Sequence, residues 1–286
     1  MAVHKTVAGS RHPKLADTAG VPVRILQAIG HQADFFGKTI RLAPHAISSY
    51  KKETVRLIAE IGMGSGAMAI IGGTVVIVGF MTLSGGTLLA IQGFSSLGNI
   101  GVEALTGFFA AFINVRIVAP VISGIALAAT IGAGATAQLG AMRISEEIDA
   151  LEVMGIRSMS YLVSTRLIAG MISIVPLYSM AVIMSFVASQ FTTTYVYGQS
   201  SGVYDHYFTT FLRPTDLFWS FLQAVVMALV VMLIHCYYGY HASGGPAGVG
   251  EAVGRAVRTS LIAVVSVTLI ASLAIYGASG NFNLAG

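Results

Sequence analysis

Residues 217–240 read LFWSFLQAVVMALVVMLIHCYYGY, a stretch of 24 residues that contains no Asp, Glu, Lys or Arg. A helix needs about 20 mainly apolar residues to cross the hydrocarbon core of a bilayer, so this stretch predicts a transmembrane helix. Three further runs are long and apolar enough to do the same, namely Leu57–Leu83, Tyr161–Phe191 and Thr259–Tyr276. The sequence therefore predicts an all-α integral membrane protein.

The composition of the whole chain agrees with a membrane environment. Of the 286 residues, 55% are hydrophobic and only 10% are charged, and the mean hydropathy is +0.78. Soluble domains carry roughly 25% charged residues. Lys and Arg lie mainly between the apolar runs, which is a pattern of membrane topology and not of nucleic-acid binding. We therefore expect a multi-pass protein of the plasma membrane that binds no nucleic acid.

The segment Ile100–Ala141 is longer than one crossing requires. As one straight helix its roughly 42 residues would measure about 63 Å, against a hydrocarbon core of about 30 Å. Lys and Arg are absent from Ser84–Asn99 and present in Met142–Arg166, which places the first stretch outside and the second inside. The number of crossings between them must be odd. We expect one crossing, with the surplus projecting beyond the membrane or bent near Pro120.

The same rule orients the remaining loops. Thr192–Asp216 carries only Arg213 and should lie outside, whereas His241–Arg258 carries two arginines and should lie inside. Five spans result, with the N-terminus inside and the C-terminus outside. We expect residues 1–56 to form a cytoplasmic N-terminal part and residues 57–286 to form the membrane domain.

An amphipathic helix is predicted before the first span, over Arg24–Arg41. Apolar residues recur there three and four positions apart, at Leu26, Ile29, Ala33, Phe36 and Ile40. The polar face is basic, and a cluster of Lys51, Lys52 and Arg56 follows. This arrangement favours a helix lying in the membrane interface over an ordinary soluble helix.

The loop sequence MRISEEIDALEVMGIR, residues 142–157, predicts a short amphipathic helix on the cytoplasmic side. Ser145 is a candidate N-cap, without the Glu that would complete a capping box. The predicted apolar stripe consists of Ile144, Ile148, Leu151 and Met154 or Gly155, and the acidic residues around it are Glu146, Glu147, Asp149 and Glu152. A solvated connector is one interpretation. An exposed apolar stripe with an acidic rim favours instead a groove on a partner protein over an anionic membrane surface.

Small residues recur every four positions in the long segment before this loop. They are Gly124, Ala128, Gly132, Thr136 and Gly140, and a shorter pair, Gly62 and Gly66, opens the first span. Close packing between helices accounts for both sets. The alternative is that they leave room for a lipid, or let helices slide between two states.

Glycine patterns in the chain resemble nucleotide sites only superficially. Gly37, Lys38 and Thr39 match the end of a phosphate-binding loop, but Gln32 stands where its first glycine is required. We therefore expect this chain to bind no cofactor, metal or nucleotide and to hydrolyse no ATP.

Three polar residues lie within apolar segments. Asn114 and Arg116 would be costly at the centre of a bilayer, so we place them at the outer surface rather than in a substrate gate. His235 has no identifiable acid or base partner in the sequence, which favours a packed histidine over a catalytic one.

The stretch EEIDALEVMGI (Glu146–Ile156), preceded by ATAQLGAMRIS and followed later by GYHASGGPAGVGEAVGRAV (Gly239–Val257), resembles the MlaE/YrbE permease family. The likeness covers nearly the whole chain after the amphipathic helix and is nearest to the B-type YrbE permeases of actinobacterial Mce systems. It implies a five-span permease with an N-terminal interfacial helix, which moves lipids. It also implies that Glu146–Gly155 is a coupling helix that docks on an ATPase.

The resemblance further implies the partners. They are a paralogous A-type permease in a heterodimer, a cytoplasmic ABC ATPase dimer that binds ATP and Mg²⁺, and extracytoplasmic Mce proteins. Import of fatty-acid-like or sterol lipids is the expected activity. The alternatives are a membrane enzyme acting on lipids and a scaffold that transports nothing. Two departures from the family pattern are Gln138, where many members carry Glu, and Arg157-Ser158, where Asp-Pro is common.

Overall fold

The computed structural model describes residues 13–63 and 68–276. Within these ranges the chain is helical throughout, without strands. The helices are α1 (Pro13–Ser49), α2 (Lys51–Met63), α3 (Met68–Gly98), α4 (Glu103–Ile144), α5 (Glu147–Val153), α6 (Met159–Val196), α7 (Ser201–Phe211), α8 (Pro214–Tyr240) and α9 (Gly245–Ile275). Five helices are long and apolar enough to cross a membrane: Val76–Gly98 of α3, and α4, α6, α8 and α9. The prediction of an all-α protein with five spans is confirmed.

Several predicted loops are helical, and these boundaries were wrong. Ser84–Asn99 was expected to be an outer loop, but α3 continues to Gly98. The predicted outer loop Thr192–Asp216 contains the end of α6 and all of α7, and the predicted inner loop His241–Arg258 lies mostly in α9. The distribution of Lys and Arg reports the side of the membrane and not where a helix ends. Ser84–Asn99 contains no proline, so α3 can continue through most of this stretch and ends only at Gly98.

The long segment after α3 forms one continuous helix, α4, of 42 residues, as expected. A π-helical turn at Asn114–Val118 ends two residues before Pro120, which has no N–H to donate. The carbonyl of Val115, five residues before Pro120, accepts a hydrogen bond from the Ser220 hydroxyl of α8 instead. The distortion near Pro120 is therefore stabilised by a neighbouring helix, and α4 remains unbroken.

The buried core lies between α4, α6 and α8. Large side chains without solvent exposure, such as Leu127, Ile174 and Met227, fill the middle of the bundle. A second apolar cluster lies near α5 and consists of Phe35, Leu139, Ile148, Leu162, Val163 and Cys236. It joins α1 and α5 to the ends of the spans.

Helix α1 packs against the bundle through a face next to the predicted stripe. Phe35, Thr39 and Ala46 are buried, whereas Ile29 and Ile40 of the predicted stripe are 56% and 46% exposed. The side chain of Leu26 lies outside the described part. Apolar residues on the outer face of α1 are available to lipid, which agrees with a helix in the membrane interface.

Candidate coupling segment and helix-packing site

Helix α5 is a short helix with a defined turn at each end. It follows Glu146, whose φ of 61° lies in the left-handed region, and it precedes Gly155, whose φ of 76° lies there too. The N–H of Gly155 donates to the carbonyl of Glu152, and that of Ile156 donates to the carbonyl of Leu151, both at 3.0 Å. This pair of bonds is the Schellman motif, for which glycine is the favoured residue. The Met-Gly end of the motif therefore sets where α5 stops.

Ser145 does not cap α5, so that expectation was wrong. Its hydroxyl donates to the carbonyl of Ala141 and to the carboxylate of Glu147, each at 3.0 Å. The residue ends α4, and Glu146 occupies the position before α5. The left-handed turn at Glu146 changes the chain direction between the two helices, which a pattern search for caps does not reveal.

The predicted apolar stripe is divided in the structure, because Ile148 and Leu151 pack against the chain itself whereas Met154 is exposed. Ile148 has no solvent exposure and belongs to the apolar cluster around Leu139 and Cys236. Leu151 is half-buried against the same cluster. The periodicity had identified the buried face of α5 correctly, but it could not show that the rest of the chain covers that face.

The opposite side of α5 is exposed and carries two large apolar residues. Val153 is 89% exposed and Met154 is 66% exposed. The exposed face of α5, as we call it below, consists of Glu146, Glu147, Ala150, Val153 and Met154. Met154 and both glutamates were among the residues predicted from the sequence, but Val153 was not. The exposed positions are three and four residues apart, so a second stripe was present in the sequence.

Polar contacts attach both ends of α5 to the spans. At the start, Arg143 of α4 forms an ion pair with Asp149 at 2.7 Å, with both side chains partly exposed. At the end, the Ser158 hydroxyl donates to Glu152 Oε1 at 2.6 Å and lies 2.9 Å from the Tyr240 hydroxyl of α8. Of the predicted acidic rim, Asp149 and Glu152 therefore bind the chain itself.

The small residues of α4 lie where neighbouring helices approach closely. A Cβ atom added to Gly132 would be 2.6 Å from Cδ2 of His235, and one added to Gly140 would be 2.9 Å from Cγ1 of Val249. Gly124 faces Met227 and Val264, and Ala128 is fully buried. The ridge thus contacts α8 and α9. Gly66 lies outside the described residues, and only the backbone is described at Gly62.

His235 is packed into this contact. It has no solvent exposure, and its Nδ1 lies 2.8 Å from the hydroxyl of Thr136, which also donates to the His235 carbonyl at 3.0 Å. Thr136 therefore fixes the histidine ring against Gly132. This arrangement joins α4 to α8 and corresponds to the packed histidine expected from the sequence.

Asn114 is buried between helices, so its expected position at the surface was wrong. Its amide donates to the Ser189 hydroxyl at 2.8 Å, and Ser189 donates to the carbonyl of Gly86 in α3 at 3.0 Å. Arg116 forms an ion pair with Asp216, in the first turn of α8, at 3.0 Å. Its guanidinium also lies 3.8 Å from the centre of the Phe112 ring. These contacts give partners to the Asn114 amide nitrogen and to the Arg116 guanidinium, which would be costly in lipid.

Gln138 contacts a buried arginine. Its side-chain oxygen accepts a hydrogen bond from Arg166 at 3.4 Å, and Arg166 also donates to the carbonyl of Leu162 at 3.0 Å. Glu53 of α2 has a lowered pKa, first because Arg56 donates hydrogen bonds to it and further because of the charge of Arg166. Arg166 therefore lies in a polar region shared by α2, α4 and α6.

Comparison with known proteins identifies the family. The family model described as Permease MlaE matches residues 63–274. A probable ABC transporter permease protein of Rickettsia bellii is 28% identical over 198 residues, which cover 69% of this chain and 76% of that protein. The chloroplastic protein TRIGALACTOSYLDIACYLGLYCEROL 1 of Arabidopsis thaliana is 28% identical over 68% of this chain and 56% of its own length. A probable ABC transporter permease protein of Synechocystis is 24% identical over 81% of this chain and 84% of that protein.

The match spans all five candidate membrane helices and the segment around α5. It agrees with the expectation of a transport subunit that is not itself an enzyme. Because the family model covers well over half of the chain, the chain belongs to the MlaE permease family, as a multi-pass protein of the plasma membrane.

Proposed function

We propose that this chain is the permease subunit of an ABC transporter that moves lipids and is driven by a separate ATPase. Relatives in Rickettsia and Synechocystis are named probable ABC transporter permeases, and the Arabidopsis relative is named after a glycolipid. ATP and Mg²⁺ bind to the partner ATPase in this proposal. Within this chain, Lys38 of the superficial nucleotide motif lies in α1 and forms an ion pair with Asp34 at 2.6 Å.

The observation that carries the proposal is the exposed face of α5. Val153 and Met154 project from a short helix between two membrane spans, and the buried side of the same helix is packed against the chain. Large apolar side chains exposed on a rigid element are typical of a docking surface. We propose that the ATPase binds here, with Glu146 and Glu147 at the rim.

The proposal includes a second permease as partner. Only 11% of the most apolar stretch of α9 is buried within the chain, against 33% to 50% in the other four spans. At Gly250 and Gly254 an added Cβ would meet no atom within 4 Å, so another helix can approach closely there. We propose that an A-type paralogue packs on this side of α9. A Gly254→Leu variant should then recover less of the paralogue during purification.

The direction of transport and the external partners follow from the resemblance to YrbE permeases. We propose that Mce proteins deliver a fatty-acid-like or sterol lipid to the outer side of the permease pair, and that the lipid is imported. Uptake of labelled lipids by cells with and without this chain tests that part. Uptake that is equal in both strains would contradict it.

The docking surface is tested by measuring how much ATPase co-purifies with the Val153→Asp and Met154→Asp variants of this chain. Placing an unpaired carboxylate in an apolar contact costs several kcal/mol, and about 2.7 kcal/mol already lowers affinity about a hundredfold. Because Val153 is 89% exposed, the change should leave the fold of this chain intact. We expect normal membrane insertion and a loss of ATPase recovery and lipid uptake.

Two controls accompany this experiment. Glu147→Ala removes a rim charge and should have a smaller effect, since exposed ion pairs contribute about 1 kcal/mol or less. Leu151→Asp changes the buried side and should destabilise the chain itself. Full ATPase recovery by both Val153→Asp and Met154→Asp would refute the assignment. A larger loss with Glu147→Ala would mean that charge holds the contact together.

A further inference from the structure

Three polar side chains from three elements meet where α5 ends. Glu152 belongs to α5, Ser158 to the connection before α6, and Tyr240 is the last residue of α8. The Ser158 hydroxyl donates to Glu152 Oε1 at 2.6 Å, and its oxygen lies 2.9 Å from the Tyr240 hydroxyl oxygen. The Tyr240 and Glu152 oxygens are 3.4 Å apart. Below we call Glu152, Ser158 and Tyr240 the triad.

The triad is the directional contact between α5 and α8. Ser158 is only 2% exposed, so water competes little for its hydroxyl. A hydrogen bond to a carboxylate is roughly twice as strong as one between neutral groups. The apolar contacts of Ile148 and Leu151 are not directional and allow small sliding movements. The triad can therefore fix the position of α5 relative to α8 in a way that the apolar cluster cannot.

The position of the triad connects the exposed face of α5 to the membrane core. Glu152 directly precedes Val153 and Met154, where the ATPase docks in the proposed function. Tyr240 lies five residues after His235 on α8, and His235 contacts Gly132 and Thr136 of α4. A movement of α5 passed to Tyr240 therefore reaches the interface between α4 and α8.

We infer that Glu152, Ser158 and Tyr240 are positioning residues that transmit movement of α5 to α8, an inference that rests on the proposed function. Without the triad, the ATPase still docks and hydrolyses ATP, but α5 moves without displacing α8 by the same amount. ATP hydrolysis and lipid movement are then partly uncoupled.

The test measures lipid transported per ATP hydrolysed by the complete transporter in lipid vesicles. Tyr240→Phe keeps the ring and removes only the hydroxyl, and Ser158→Ala removes the central one. We expect that the amount of co-purified ATPase is unchanged and that ATP hydrolysis stays within about twofold of wild type. The amount of lipid moved per ATP should fall about fivefold, which corresponds to the loss of one hydrogen bond. Glu152→Ala should lower the lipid moved per ATP in the same way, whereas Glu152→Gln keeps a hydrogen-bond acceptor and should retain most of the coupling.

The matched control is Ser145→Ala. It also removes a hydrogen bond between a serine and a glutamate, at 3.0 Å, but this bond joins the end of α4 to the start of α5. Lipid per ATP should stay at the wild-type value. A ratio that is unchanged in Tyr240→Phe and Ser158→Ala, even with less folded protein, would show a purely structural contact and overturn the inference. A wild-type chain that recovers no ATPase would refute the proposed function itself, and the inference with it.

Discussion

A Gly132→Ala substitution tests whether the small residues of α4 are required for its contact with α8. The new methyl carbon would lie 2.6 Å from Cδ2 of His235 and 2.8 Å from both Cγ and Nε2. The ring cannot simply turn away, because it is fully buried and its Nδ1 contacts the Thr136 hydroxyl at 2.8 Å. The two helices must separate, or the histidine must lose its hydrogen bond.

The magnitude follows from comparison with Gly134, two residues further along the same helix. An added Cβ at Gly134 would meet no atom within 4 Å. Replacing a helical glycine by alanine favours folding by roughly 0.5–1 kcal/mol at either position. Overpacking a filled interior costs about 1–3 kcal/mol. The helix term cancels between the two variants, so Gly132→Ala should be less stable than Gly134→Ala by about 1–3 kcal/mol.

Thermal unfolding of the purified protein in a mild detergent measures this difference. In a His235→Ala background the ring is absent, and the added cost of Gly132→Ala should largely disappear, as a double-mutant cycle would show. If Gly132→Ala is as stable as Gly134→Ala, the close approach of α4 and α8 is not a constraint. If its cost persists without the ring, the clash lies elsewhere.

Three further predictions concern topology, an ion pair and pH. With the native cysteine replaced by serine, single cysteines at Ser95 and Ser145 should be labelled from opposite sides of intact cells, and labelling from one side would contradict the five-span topology. Asp216→Asn should destabilise the protein by about 1.5–3 kcal/mol, because the charge-assisted hydrogen bond between Asp216 and Arg116 is largely buried. Glu251→Gln, which breaks an exposed ion pair with Arg255, should cost less than ~1 kcal/mol in the same unfolding assay. Desolvation, together with the charges of His31 and Arg143, lowers the pKa of His241 below its usual 6.5. The stability that neutral His241 contributes is therefore complete above about pH 6.5 and decreases as the pH falls below that value. Helix α1 packs on His241, so its amide protection factors, which are exchange rates corrected for the intrinsic pH dependence of exchange, should be lower at pH 5 than at pH 7.5. The difference should be smaller in His241→Gln. Equal protection factors at both pH values would show that His241 does not stabilise the contact.

The number and class of the spans could be predicted because they depend on length and hydropathy alone. Crossing a bilayer requires about 20 apolar residues whatever the partners of the helix. The ends of the helices could not be predicted in this way. The stretch Ser84–Asn99 lacks Lys and Arg and also lacks proline, so its sequence is compatible both with an outer loop and with the end of α3.

Polar residues in apolar segments show a second limit of the sequence. Asn114 was placed at the surface because a polar group in lipid is costly. That cost is avoided equally well by a partner within the protein, and Ser189, 75 residues away in the chain, provides one. Sequence reasoning identifies the cost of such a group but cannot choose between these two solutions.

The orientation of α5 has a mechanical consequence for the proposed coupling. A helix that turned its whole apolar stripe to the ATPase would be held to its own chain mainly by its two connections, and could follow the ATPase without moving the spans. In this chain Ile148 and Leu151 anchor α5 internally, while Val153 and Met154 remain exposed. The two polar attachments differ as well. The ion pair between Arg143 and Asp149 is partly exposed and therefore weak, whereas Ser158 is shielded from water. A force applied at Val153 and Met154 should therefore reach α8 through the end of α5 more effectively than it reaches α4 through the beginning.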